Sequence, residues 1–74
     1  MKKEKKPPVL YKEVVLTRDV PAAGLRKGDT AYYIDYLEPL NGVGPGAILE
    51  LFNSHPKGPG VATVPYSAIA SPDS

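Results

Sequence analysis

The chain has 74 residues, no cysteine, one histidine (His55) and a formal net charge of +1. That length allows one small domain, and the composition excludes a disulfide framework, a cysteine-based metal site and a histidine-rich metal cluster. No run of about 18 apolar residues is present, so no membrane span is expected, and the basic start leads into Pro7 and Pro8 rather than the apolar stretch of a signal peptide.

Residues 1–8, MKKEKKPP, are expected to be a disordered basic tail. They offer nothing apolar to bury, and their lysines repel one another. Residues 2–6 sum to +3 and the rest of the chain to −2, so the positive charge sits on the tail rather than on the folded part. Such a tail solubilises the protein or acts as a weak electrostatic arm.

Residues 9–17, VLYKEVVLT, read as a first strand, with Val14 and Leu16 facing inward. Residues 18–29 form a long polar connection. Asp19 and Asp29 are suited to accepting bonds from nearby backbone N–H groups, Gly24 and Gly28 supply left-handed positions, and Val20 and Leu25 tuck beneath the loop. A helix over residues 21–27 is the alternative there, but two turns do not stand alone.

Residues 30–38, TAYYIDYLE, are a second strand. Its face of Thr30, Tyr32, Ile34 and Tyr36 is the more apolar, which makes Ile34 the expected core residue; a bulge near Ala31 would swap the faces. Asn41-Gly42 in the next loop signals a hairpin. Residues 47–52 then form a third strand, with Ala47, Leu49 and Leu51 inward and Glu50 in water. Residues 53–60 are a second Gly/Pro-rich loop. Residues 61–64 make a fourth strand stopped by Pro65, residues 65–69 a 3-10 turn, and a closing strand surrounds Ile69. Residues 71–74 fray.

Short strands punctuated by nine prolines and seven glycines imply an all-β domain over residues 9–70, and a chain this short is expected to close into a five-stranded barrel. The order of elements resembles that of SH3-like small barrels, with a long first loop and a 3-10 turn before the last strand. Asp19, Pro21, Gly24, Leu25, Gly28 and Asp29 follow the spacing D-x-P-x-x-G-L-x-x-G-D. On that motif, with ILELF and VPYSAI further on, the chain resembles the bacterial family catalogued as domain of unknown function 4926. The family carries glycine where Ala31 stands and valines where Tyr32 and Tyr33 stand. The resemblance implies a bacterial, cytoplasmic protein, paired with a small protein encoded beside it as toxin–antitoxin partners are. It supplies no catalytic residue and no cofactor.

No constellation of reactive groups stands out. Ser54 and His55 are adjacent in a loop, with no third group evident to orient the imidazole. Asp35 and Glu38 flank a strand end, and the glycines of NGVGPG lack the strand–helix setting of a nucleotide site. A non-enzymatic module is therefore expected. The tyrosines are the notable group: three lie in strand two on both faces, so either Tyr33 or the pair Tyr32 and Tyr36 must be exposed. The expected partner surface is Arg18, Leu25, Arg26, Tyr32, Tyr33 and Tyr36. Proline-rich ligands are not expected, because the first loop is not acidic and tryptophan is absent. Weak RNA or DNA binding through Arg26, Lys27 and the tyrosines is the alternative, opposed by the −2 of the folded part. Self-association through an edge strand is the third reading.

Overall fold

The computed structural model describes residues 7–56 and 58–72. The expected tail over residues 1–8 therefore lies outside the described residues except for Pro7 and Pro8, as does the end of the expected C-terminal fray. Five antiparallel strands form one sheet: β1 (Glu13–Leu16), β2 (Thr30–Leu37), β3 (Gly46–Leu51), β4 (Gly60–Pro65) and β5 (Ile69–Ala70), in the order β4-β3-β2-β1-β5. Short 3-10 turns cover Pro21–Ala23 and Tyr66–Ala68. The all-β expectation holds. The sheet is not closed into a barrel: no ladder joins β4 to β5, and both remain edges.

Alternation sets the faces of β1 and β3. Val14 and Leu16 are buried, as are Ala47, Leu49 and Leu51, while Glu13 and Glu50 face water. Full burial of a leucine such as Leu16 or Leu49 stabilises the fold by about 1.5–3 kcal/mol. Val64 and Ile69 complete the same core from β4 and β5.

Before its bulge, the inward face of β2 is the opposite of the expected one; beyond it, Tyr36 lies opposite buried Ala47, on the expected side. Val14 lies across from Ala31 and Leu49 from Tyr33, and both β2 residues are buried; Ile34 is only half-buried. Residues directly opposite in a ladder share a face, so the phase of β1 and β3 dictates that of β2. Small Ala31 and Ala47 leave interior volume that a phenol ring can fill. The β2–β3 register then slips between Tyr33 and Asp35, so Ile34 is the extra residue of a bulge, three positions beyond the anticipated place.

The first loop is an ordered excursion. Leu16 N–H donates to Asp29 O at 2.8 Å and Gly28 N–H to Leu16 O at 2.8 Å, which fastens its base to β1. At its tip, Val20 and Leu25 exchange backbone hydrogen bonds of 2.9 and 3.2 Å and bury their side chains. Gly24 adopts φ 73°, and its N–H caps Pro21 O. Only Pro21–Ala23 is helical, because the left-handed Gly24 ends the turn. This turn approaches β4 and shields part of that edge.

Before β1, the chain turns instead of extending the strand: Lys12 N–H donates to Val9 O at 3.1 Å, and Tyr11 takes φ 67°. Residues 11 and 12 are then clipped to β2, with Tyr11 N–H donating to Tyr33 O at 2.6 Å and Tyr33 N–H to Lys12 O at 3.0 Å.

Candidate functional site

The bulge at Ile34 divides the tyrosines of β2. Before it, Tyr32 lies across from Glu50 on the outer face, and its ring meets Phe52 edge-on with centroids 4.9 Å apart. Beyond it, Tyr36 lies across from buried Ala47 and so returns to the inner face at the end of the sheet. There Tyr36 and Tyr33 both meet the ring of Tyr66, at 5.5 and 6.2 Å, in the T-shaped geometry that aromatic pairs favour. Burial pushes the Tyr33 phenol above the usual tyrosine range, and Tyr66, Tyr36 and Asp35 add to the shift.

A groove of about 810 Å³ opens beside this cluster. Leu37, Leu40 and Val43 from the β2–β3 hairpin form one wall, and Pro65 and Tyr66 another. The hairpin tip is rigid for a reason visible in its residues. Asn41 and Gly42 both adopt positive φ, 53° and 81°, as a type I′ turn requires. Leu40 and Val43 then exchange both backbone bonds, at 3.0 and 2.9 Å. Each is 69% exposed, so the turn holds two large apolar side chains in water. Tyr66 N–H donates to Pro45 O at 2.9 Å and ties the 3-10 turn to the hairpin base. Pro45 and Pro65 bring no N–H to the groove, so apolar contact rather than main-chain pairing is what these walls offer a ligand. Glu38 is the sole charged residue among the described residues lining it.

A second feature joins the first loop to the β3–β4 connection. Asp29 Oδ2 accepts the Arg26 N–H at 2.9 Å and lies 3.1 Å from His55 Nε2. The Arg26 N–H holds the Asp29 carboxyl below its ordinary value; partial burial opposes this, and His55 adds to it. Asp19 Oδ1 accepts the Lys27 N–H, eight residues on, at 2.9 Å, so Asp29 caps a local turn while Asp19 braces the two arms of the loop. The Asp29–His55 contact bolts two loops together across a small pocket of about 390 Å³. Among the described residues, no group of three or more His, Asp or Glu side chains gathers as a metal site would require, and no helix is long and apolar enough to cross a membrane.

The six residues expected to form a partner surface are spread over the core, the first loop and the two faces of β2. Leu25 (2% exposed) and Tyr33 (4% exposed) point inward and present no surface, because Leu25 belongs to the core beneath its loop and Tyr33 to the core opposite Leu49. Arg18 and Arg26 are exposed on the first loop. Tyr32 and Tyr36, 46% and 39% exposed, lie on opposite faces. Sequence reasoning missed Leu37, Leu40, Val43, Pro65 and Tyr66. No local signal marked them, because apolar residues commonly flank an Asn-Gly hairpin turn and Leu40 and Val43 do not stand out there. Comparison with protein-family models, with curated proteins and with solved structures returned no match.

Proposed function

We propose that this chain is a non-enzymatic protein-interaction module, an SH3-like fold with an open sheet of the family it resembles, which binds and masks a protein partner in the bacterial cytoplasm as an antitoxin or accessory subunit would. The reading of its architecture is supported by the strand order β4-β3-β2-β1-β5, by the first loop folding toward the β4 edge, and by the 3-10 turn leading into β5. The single observation that carries the function is the apolar groove between the hairpin tip and Tyr66. Leu40 and Val43 are held in water by a rigid turn, so little conformational entropy is lost when a partner covers them. Tyr36 and Tyr66 are the aromatic side chains beside it that suit anchoring contacts. Masking a partner needs surface complementarity and no reactive group.

The test compares three variants in capture from the source cells: Leu40→Ser with Val43→Ser, Tyr36→Ala, and Arg18→Ala with Arg26→Ala. A partner lost in the first two and kept in the third supports the groove. A partner lost only in the third moves the interface to the first loop. The nucleic-acid alternative draws on exposed Arg18, Arg26 and Lys27, and it requires a gel shift at low salt that the arginine variant abolishes.

A further inference from the structure

Among the described residues, all but two of the exposed large apolar side chains belong to two stretches, residues 9–11 and residues 36–43; Tyr32 and Val61 are the others. Their electrical settings are opposite. The groove beside the second stretch has one charged residue among the described residues lining it, Glu38, and no lysine or arginine. Residues 2–6, just before the first stretch, sum to +3. Within one molecule the two stretches do not meet: the turn at Val9 and the clip to Tyr33 hold residues 9–12 in place, and none of them lines the groove.

We propose that the N-terminal segment of one copy docks in the hairpin groove of a second copy, with Val9, Leu10 and Tyr11 against Leu40 and Val43 and the lysines facing Glu38. This rests on reading the groove as a docking surface. A second copy is the occupant because this chain itself carries the apolar segment with a basic flank that an apolar groove with Glu38 as its one charged lining residue suits. Eight residues precede Val9 and reach up to about 29 Å, enough to lie along a neighbour. The contact is heterologous, tail to groove, so each copy keeps one free donor and one free acceptor and association is open-ended. It is also weak. A stable interface buries roughly 800 Å² per partner, a large share of the 5148 Å² this molecule exposes.

Sedimentation equilibrium and amide-resolved NMR on the full chain test the proposal. The wild type self-associates below about 1 mM and the dissociation constant rises roughly tenfold between about 50 and 500 mM salt. A groove variant (Leu40→Ser with Val43→Ser) and a tail variant (Lys5→Glu, Lys6→Glu and Val9→Ser) are each monomeric, with the amide dispersion of a folded chain. Mixed together they form a 1:1 dimer and nothing larger, because one supplies the only intact tail and the other the only intact groove. A wild type that stays monomeric to about 1 mM overturns the proposal. So does association that survives both variants, or a mixture that remains monomeric. If the wild type is monomeric while the groove variant still loses a captured partner, self-docking fails and the docking surface stands.

Discussion

Gly58 is the position where adding one methyl group tests the packing most sharply. A Cβ built there would overlap the Phe52 carbonyl oxygen, lie 3.1 Å from the Phe52 carbonyl carbon and sit 3.3 Å from the Leu51 Cβ. Two of those atoms are backbone, and Leu51 is buried, so the end of β3 or the loop behind it has to move. Overpacking of this kind costs about 1–3 kcal/mol. Replacing glycine recovers about 0.4–1 kcal/mol by narrowing the unfolded ensemble. Gly58→Ala is therefore expected to destabilise by about 1–2 kcal/mol, which for a domain of this size lowers the melting temperature by roughly 5–15 °C. Gly44 is the control: a Cβ there meets nothing within 4 Å and its φ is not positive. Gly44→Ala should leave stability unchanged or raise it by up to about 1 kcal/mol. Thermal and urea unfolding read both variants. A Gly58→Ala protein as stable as the wild type would refute the close approach of the β3–β4 loop to Phe52.

Leu49→Ala removes a fully buried side chain from a central strand and should cost about 2–5 kcal/mol in urea unfolding, enough to leave much of the chain unfolded at 37 °C. The Asp29 carboxyl is held below its ordinary value of 3.8, so its contribution is present above that pH and is lost as pH falls through the folded-state value. The wild type is thus more stable than Asp29→Asn near neutrality, and urea midpoints of the two converge in acid; a constant gap down to the lowest pH contradicts the assignment. Tyr33 behaves in the opposite sense. Its raised phenol value preserves stability below the ordinary value of 10.0, and that stability is lost as pH rises from there through the folded-state value. Tyr33→Phe should flatten this alkaline loss, read by the same unfolding series.

The faces of β1 and β3 were legible because strict alternation with an acidic residue on one side leaves a single phase: Glu13 and Glu50 had to face water, so Val14 and Leu49 had to turn inward. The hairpin at Asn41-Gly42 and the capping role of Asp29 followed from local backbone chemistry, whereas Asp19 bonds across its loop to Lys27, eight residues on, rather than to a neighbouring N–H. The phase of β2 did not. Both its faces are apolar enough to bury, so the decision fell to the strands on either side and to an extra residue that composition does not mark. The Asp29–His55 contact joins residues 26 apart, which no local rule pairs. The groove depends on how the hairpin stands relative to Pro65 and Tyr66, and that distance in sequence concealed it.

The unpaired Ile34 lets a single strand serve two separate surfaces. A regular pairing that gave Ile34 a partner of its own would carry the phenol of position 36 away from Tyr66 to the side where Tyr32 stands. A one-residue slip of that kind would dismantle the aromatic trio beside the groove, while every amino acid that forms it remained in the chain.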